Sequence, residues 1–518
     1  MKGMKSETKK EAPNYHFDFL KKTFENEKPL ACLLRTASGY YLYDTGTNKI
    51  LECEKEVFDL LHGLFLKEVN QAIDDFVTSH GEKGFIAAAS EIAEAMESEK
   101  ILLVKKAARF GLSDHFKNVE EILNSSIQSI NIEVTQKCGQ RCRYCIYNDH
   151  FKEKRNYSDR LMSIETGRKS IEFLKEHSFK NDTVMMGIYG GEPLTRFPFI
   201  KSCVEYTREI FDKQRVVFNI TTNGTLITPE IADYLLQNGF SVLVSMDGPE
   251  SIHNRYRKDA KGNGSYQKTI RGLKILAEKY NEIKRGQISI NAVYAPPYSE
   301  EKLNIINNHF RGLEWLPEVN VLTQYPTNGS IPDEFIPEKG IEEDKDLAQW
   351  AFEKYKMDYG NSESMIKGVL EKRFARLIQR PVLTEPGDRY ALNGCCLPGQ
   401  RKCYIAAGGS IHLCEKISTY APSIGNVYTG LDFETIKKVY IDDYAEKSIG
   451  YCSRCWGIRL CDICYIHAFN ERGELDVNRK RGHCQSILKS LGNSLRNFVT
   501  LMEENPGGLD YLYRYDVK

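Results

Sequence analysis

Three cysteines on one short stretch, Cys138-Gly-Gln-Arg-Cys142-Arg-Tyr-Cys145, are the residues of this chain best suited to chemistry. Thiolates are soft ligands for iron and zinc. Three on one loop can hold three irons of a cubane and leave the fourth iron without a protein ligand, the kind of vacancy that lets a metal centre bind substrate. The same spacing also suits zinc. A larger group follows, with nine of the 15 cysteines between Cys395 and Cys484. There Cys396, Cys403 and Cys414 precede Cys452-x2-Cys455-x5-Cys461-x2-Cys464 and a distant Cys484. Paired C-x2-C units are common in zinc sites, but this gap of five is shorter than a zinc ribbon's, and His412 and His467 are isolated. Such crowding points to metal rather than disulfides. Cys32, Cys53 and Cys203 stand apart and read as buried small hydrophobes.

Three other segments carry polar or glycine-rich turns, and a single arginine follows them. Tyr189-Gly190-Gly191-Glu192-Pro193 lets backbone approach a ligand closely. Thr221-Thr222-Asn223-Gly224-Thr225 and Ser245-Met246-Asp247-Gly248-Pro249 bring hydroxyl and amide groups suited to a ribose, and Arg257 can pair with a carboxylate. Each is an ordinary turn or surface charge when taken alone.

These segments need elements to position them, and the hydrophobic pattern supplies candidates. From Ser129 strands alternate with helices. The strands are expected at Ile130–Val134, Val184–Tyr189, Val216–Thr221, Ser241–Ser245, Gln287–Val293 and Val319–Thr323. The helices are expected at Ile164–Glu176, Phe197–Phe211, Pro229–Gln237, Tyr266–Tyr280 and Glu300–Asn308. Thr228 as N-cap and Pro229 in the first turn mark the start of one of them. Six strands joined by crossovers demand a mostly parallel sheet, whose C-terminal strand ends gather the functional groups, and the turns above fall at those ends. Ahead of this region, strands at Leu30–Leu34, Tyr40–Tyr43 and Lys49–Cys53 lead to a helix at Glu54–Leu64, a helical pattern around Ala88–Met96 and the apolar stretch Ile101–Val104, a winged-helix-like order. Asp114–Ser126 reads as a connector. A last helix is expected over Gln485–Met502.

The 518 residues are 41% hydrophobic and 27% charged, which suits a soluble chain of two to four domains. Lys+Arg and Asp+Glu both total 71, so bulk charge does not hold the protein to nucleic acid or anionic lipid. No apolar run approaches a membrane span, and Met1–Tyr15 lacks the apolar core of a signal peptide. The expected location is cytoplasmic.

Taken in order, Cys138, Cys142, Cys145 with Tyr144, then Gly190-Gly191-Glu192-Pro193, then the Asn223-Gly-Thr and Ser245-x-Asp-Gly-Pro turns resemble the radical S-adenosylmethionine (radical SAM) enzymes. The resemblance spans Ser129 to about Pro326. It implies an α/β fold, a partial (βα)6 barrel, with a [4Fe–4S] cluster on Cys138, Cys142 and Cys145 that binds SAM and generates a 5′-deoxyadenosyl radical. It places Tyr144 at the adenine, Gly190, Gly191 and Glu192 at the methionyl amine, Asn223 and Ser245 at the ribose, and Arg257 at the methionyl carboxylate. The later cysteines resemble the SPASM extension, which houses two auxiliary [4Fe–4S] clusters. Cys396, Cys414 and Cys464, with Cys403, would bind the first, and Cys452, Cys455, Cys461 and Cys484 the second. Two residues stand between the last pair where the commonest form has three, and Cys395 leaves the first ligand ambiguous.

Within that family, Cys396-Leu-Pro-Gly-Gln-Arg-Lys, Cys414-Glu-Lys-Ile and Cys455-Trp-Gly-Ile-Arg-Leu-Cys461 resemble maturases of ribosomally made peptides, notably thioether-forming sactipeptide and ranthipeptide enzymes. Tyr40–Lys49 and the helix behind it resemble a RiPP recognition element, which captures a leader peptide as an added edge strand. Glu415 stands where sulfatase-maturing relatives carry a proton acceptor. The implied layout is a polar tail (1–24), a leader-binding domain (25–110), the barrel (128–325), a bridging region (326–392), a SPASM domain (393–490) and a C-terminal helix and tail (491–518). The implied partners are a Cys-containing precursor peptide and a flavodoxin- or ferredoxin-type electron donor. Carbon–carbon or carbon–oxygen cross-linking, formylglycine formation and a zinc-stabilised binding scaffold remain as alternatives.

Overall fold

The structure is a computed structural model and describes residues 13–107, 109–110, 117–336, 346–357, 364–387, 389–391 and 394–515. The start of the expected polar tail, the first part of the 114–126 connector, parts of the bridging region and residue 393 lie outside the described residues.

Six parallel strands form the centre: β4 (Ser129–Thr135), β5 (Thr183–Gly190), β6 (Arg215–Thr222), β7 (Ser241–Ser245), β8 (Gln287–Val293) and β9 (Asn320–Gln324). They pair in sequence order. The crossovers hold helices α4 (Ile164–His177), α5 (Phe197–Ile210), α6 (Pro229–Gln237), α7 (Tyr266–Ile283) and α8 (Glu300–Arg311). Sequential order with one crossover hand puts every helix on the same side, so this is barrel rather than doubly wound topology. Each strand and helix expected between Ser129 and Pro326 is present, within three residues at every end. Thr228 caps α6 by accepting from the Ile231 amide at 3.3 Å.

The faces differ sharply. Ile130, Ile132, Val134, Val184, Met186, Ile188, Val242, Val244 and Ile290 are buried on the helix side. The opposite face is polar: Asn131, Gly187, Asn219 and Ser241 share one register row. Burying apolar groups on one side only leaves a wettable inner face for a polar substrate.

Both sheet edges are closed by the later chain. At β9, the Val321 amide donates to Ser364 Oγ at 2.8 Å, at the start of α10 (Ser364–Ile378), which follows α9 (Leu347–Met357). On the other side β10 (Cys403–Ile405) pairs parallel with β4, Cys403 opposite Ile130. β11 (Ser410–His412), β12 (Gly425–Asn426) and β13 (Gly430–Leu431) extend the sheet to ten strands. The cysteine-rich region thus begins inside the barrel's own sheet, a continuity that short strands separated from β4 by more than 250 residues do not announce in sequence. Helices α11 (Val477–Gly482) and α12 (Cys484–Glu504) follow.

The N-terminal part is an antiparallel sheet, β1 (Ala31–Arg35), β2 (Tyr40–Asp44) and β3 (Lys49–Cys53), with helices α1 (Pro13–Phe24), α2 (Lys55–Leu66) and α3 (Val69–Ser98). α3 is broken at Gly81, where φ is +73°. Two expectations change. Pro13–Phe24 was assigned to the polar tail but is a helix whose Leu20 and Phe24 are fully buried. The winged-helix-like order makes the apolar stretch Ile101–Val104 a closing strand, but it is irregular, because the Leu102 amide turns to donate to Asp44 Oδ1 at 2.9 Å. One face of the sheet packs on its own helices through Leu42, while Leu34, Tyr41 and Tyr43 join the main core.

Candidate functional site

The Cys138–Cys145 loop leaves the C-terminal end of β4 and is clamped along its length. Arg141 N donates to the Lys258 carbonyl (2.7 Å), Arg143 N to the Tyr256 carbonyl (3.0 Å), and Ala260 N to the Gly139 carbonyl (3.1 Å). Segment 256–260 therefore runs alongside the loop. From the other side, Gly191 N donates to the Thr135 carbonyl (2.8 Å) and Glu192 N to the Lys137 carbonyl (2.9 Å). A Cβ on Gly191 would stand 2.2 Å from the Lys137 oxygen, and one on Gly190 2.2 Å from the Thr135 oxygen. The two glycines are required because the end of β5 lies directly on the cysteine loop.

The three thiols share a desolvated site. Burial pushes Cys138 up to about 12 and also raises Cys142 and Cys145, while the Arg257 guanidinium pulls the latter two back. Gln140, 3% exposed, accepts from Cys142 and leaves its own Nε2 without a partner. Soft sulfur donors, a facing cation and an unused amide donor fit an anionic iron–sulfur group, whose binding must release the thiol protons. Among the described residues no three His, Cys, Asp or Glu side chains converge on a single-ion site. Cubane thiolates each bond a different iron and so stand farther apart than the ligands of one ion.

Asp247 is the hub that the sequence reading passed over. Its Oδ1 accepts from the Val293 amide (3.0 Å), the Tyr144 hydroxyl donates to Oδ2, and Arg257 Nε lies 3.1 Å from Oδ2. Asp247 is 2% and Arg257 5% exposed, and the guanidinium stands 5.4 Å from the centre of the Tyr144 ring. One buried carboxylate thus ties Tyr144 of the cysteine loop to Arg257. A charged residue in a turn at a strand's C-terminal end was the available signal.

Glu192 and Asn223 are joined. The Glu192 carboxylate accepts from Asn223 N (2.8 Å), Thr222 Oγ1 (2.8 Å) and Leu194 N (3.1 Å), so its oxygens tie β5 to β6. Burial raises its carboxyl pKa, and these donors oppose the rise. Asn223 Oδ1 accepts from Thr225 N at 3.0 Å, which shapes the turn. Ser245 closes β7 opposite Asn291.

The later cysteines separate into two sets. Cys414 and Cys396 both act on Cys464, which burial pushes up to about 12. Cys461, Cys452 and Cys484 act on Cys455, which burial pushes up to about 11. Cys395 lies beside Cys464 and Cys396. The pairing of Cys403 with Ile130 puts its side chain on the helix side of the sheet, Sγ donates to the Gly399 carbonyl at 3.1 Å, and Cys396 acts on it as well. The segment Trp456–Arg459 beside the second set is gripped by the β2–β3 turn. Thr45 Oγ1 donates to the Trp456 carbonyl (2.6 Å) and Arg459 Nε to the Thr45 carbonyl (2.6 Å).

Glu415, next to Cys414, reaches the inner face of the sheet. Asn131 Nδ2 on β4 donates to it at 3.4 Å, in room left by Gly187, and Lys402 Nζ lies 3.3 Å away. Burial works to raise the Glu415 carboxyl, but Lys402 and neighbouring donors leave it below the ordinary value. Lys154, 7% exposed, donates to the carbonyls of Glu415 (2.7 Å) and Ile417. Burial brings its ammonium down to about 8. Here lies a cavity of about 480 Å³, lined by Glu133, Tyr147, Lys154, Tyr404, His412 and Cys414 among others. Sequence reading missed Asn131, Lys154 and Lys402; polar residues alternating with Ile130, Ile132 and Val134 were the signal for the first.

The chain is 32% identical over 225 residues to the radical SAM cyclopropyl synthase TigE of Paramaledivibacter caminithermalis, covering 41% of this chain and 43% of that one. It is 32% identical over 142 residues to a serine-type anaerobic sulfatase-maturating enzyme of Bacteroides thetaiotaomicron, covering 27% and 34%. With a cysteine-type anaerobic sulfatase-maturating enzyme of Clostridium perfringens it shares 24% identity over 333 residues, covering 62% and 84%. The chain spans less than half the length of the strongest of these curated relatives. The fold resembles that of native anSMEcpe with bound AdoMet, at a TM-score of 0.53 and 21% identity over 75% of this chain and 100% of that one. Residues 132–307 match the family model of the radical SAM superfamily, so the stretch that carries Cys138, Cys142 and Cys145 is a radical SAM domain.

Proposed function

We propose that the chain is a radical SAM maturase that closes a thioether between a cysteine sulfur and a carbon of a ribosomally made peptide. SAM and three [4Fe–4S] clusters are the cofactors of this reading. When bound, they supply single-electron transfer and a 5′-deoxyadenosyl radical that removes a hydrogen atom. Cys138, Cys142 and Cys145 hold the SAM-binding cluster. Arg257, fixed by Asp247, receives the methionyl carboxylate, and Tyr144 borders the adenine. Asn223 and Ser245 lie at the ribose, and the Gly190-Gly191 backbone at the amine, positioned by Glu192. The Cys396–Cys464 and Cys452–Cys484 sets hold the auxiliary clusters.

The observation that carries the reading is the Glu415 carboxylate on the polar inner face, ionised at neutral pH beside Lys402 and bordered by Asn131. A carboxylate there accepts the proton of a peptide thiol, and as the thiolate bonds the carbon radical the surplus electron would pass to the auxiliary clusters, one of whose thiol ligands, Cys414, lies next to Glu415 in the sequence. A peptide substrate is supported by β3, whose outer edge pairs with no strand among the described residues and can accept a leader as an added strand. A flavodoxin- or ferredoxin-type protein would deliver the electron.

The test is anaerobic turnover of the reconstituted, reduced protein with the Cys-containing peptide encoded beside its gene. Thioether closure gives 5′-deoxyadenosine and a product whose cysteine no longer alkylates with iodoacetamide. The relatives' names favour a second reading, formylglycine formation, which would give an aldehyde that captures hydrazide. A product with its thiol intact and no aldehyde would mean carbon–carbon or carbon–oxygen bonding.

A further inference from the structure

The cavity beside the Glu415 turn carries an unbalanced charge. It measures about 480 Å³, with exposed Arg160, Thr419 and Ser423 at its rim and buried Glu133, Lys154 and Tyr404 at its floor. Glu133 is the one carboxylate among its described lining residues, and it is fully engaged. Its Oε1 accepts from Arg155 Nε at 2.7 Å and from Arg155 Nη2, and its Oε2 accepts from Gln136 Nε2 (2.9 Å) and the Ala407 amide (3.0 Å). That acid cancels Arg155 and leaves two lining cations, Lys154 and Arg160, without an anion.

Lys154 spends two of its three N–H groups on neutral acceptors, the Glu415 carbonyl at 2.7 Å and the Ile417 carbonyl. A buried ammonium held by neutral groups alone favours an anion nearby. Arg160 is fixed through its backbone: Gln136 N donates to its carbonyl at 2.9 Å, and its own amide donates to Ser158 Oγ at 3.2 Å. A Cβ on Gly408 would stand 2.3 Å from a nitrogen of its guanidinium, so the side chain lies across the bare backbone of that glycine. Among the described residues no carboxylate comes within ion-pair distance of it, and its neighbour Asp159 is turned to Lys137 at 3.4 Å. A planar guanidinium at the rim of a cavity, with an ammonium at the floor, matches a carboxylate, which accepts two parallel bonds from arginine.

We infer that this cavity holds a carboxylate of the substrate peptide, gripped by Arg160 at the rim and drawn in by Lys154 at the floor. Cys414 and Ile417, on either side of Glu415, line the same cavity, so a carboxylate bound there brings the adjoining stretch of peptide to the Glu415 turn. The inference rests on the reading of the chain as a peptide maturase and adds to it the chemistry of the peptide: the group bound is an acidic side chain or the C-terminal carboxyl.

The experiment measures KM for the Cys-containing peptide encoded beside the gene. The readout is peptide consumed by the reduced, reconstituted full-length protein, which does not depend on the bond formed. Wild type, Arg160→Gln and Arg160→Lys are compared on that peptide, on variants with each acidic side chain converted singly to its amide, and on the C-terminal amide. Loss of a charge-assisted bond should raise KM about 10- to 100-fold in Arg160→Gln, with uncoupled SAM cleavage unchanged, and Arg160→Lys should recover part of the loss. One amide variant should raise the wild-type KM by a similar factor and add nothing in Arg160→Gln. Which variant does so tells side chain from C-terminus. An unchanged KM in Arg160→Gln, additive losses, or no peptide carboxylate whose neutralisation changes KM would overturn the inference. If Arg160→Gln takes up no clusters, the comparison of peptides on the wild type decides by itself. A wild type that consumes no peptide removes the maturase reading, and this inference with it.

Discussion

The cysteine loop after β4 and the cysteine-rich region that ends at Cys484 present their thiols by different means. In the first, three thiols sit on one turn, and backbone hydrogen bonds from segment 256–260 and from Gly191 and Glu192 hold it. In the second, the thiols come from segments far apart in sequence, and a docked N-terminal sheet grips the stretch between Cys455 and Cys461, with Thr45 on the Trp456 carbonyl. A site clamped by backbone tolerates most side-chain changes around it. One assembled from side chains is sensitive to single charges and hydroxyls. The barrel and the cysteine-rich region meet at Glu415 and Lys154, where the turn after Cys414 reaches the inner face of β4.

Breaking the loop itself should have the largest effect. Cys142→Ala is expected to reduce 5′-deoxyadenosine formation to background, whereas Cys455→Ala should lose iron yet keep uncoupled 5′-deoxyadenosine formation. Equal losses in both would erase the contrast between the two sites. Where they meet, Glu415→Gln should lower peptide product by about 100- to 10,000-fold, the usual worth of a positioned base, while SAM cleavage continues. The Glu415 carboxyl lies below its ordinary value, so the folded state binds this proton less readily than the unfolded chain. Its stabilising contribution is present above the unfolded value and is lost as pH falls through the folded one. Product formation by the wild type should therefore persist through the ordinary carboxylate range and fail only below it, and Glu415→Gln should abolish that acid limb in a pH–rate profile.

Asp247→Asn leaves the buried Arg257 without its ion partner. Losing one member of a buried pair costs roughly 3–5 kcal/mol, to be read as a lowered denaturation midpoint and a raised KM for SAM. Gly191→Ala drives a Cβ to within 2.2 Å of the Lys137 oxygen. The backbone shift should cost about 1–3 kcal/mol and lower iron occupancy of the Cys138 loop more than that of the auxiliary sites. The smallest effect is expected for Glu27→Gln, which removes an exposed ion pair to Arg454 (2.8 Å). The melting temperature should stay unchanged, because the docking rests on buried backbone contacts rather than on surface charge.

From sequence alone came the six strands, their helices and the cysteine loop. Periodicity and turn chemistry are local, and Ile130, Ile132 and Val134 must face helices whatever surrounds them. Other features were decided only when distant segments met: β10 joining β4, Ile101–Val104 turning to bond Asp44, Cys403 directed to the helix side of the sheet, and Asp247 gathering Tyr144, Arg257 and the Val293 amide. Asp247 shows the reason most plainly. In the sequence it is one acid in a turn after β7, and it becomes the buried partner of Arg257 and Tyr144 only where the packed chain lays segment 256–260 along the cysteine loop.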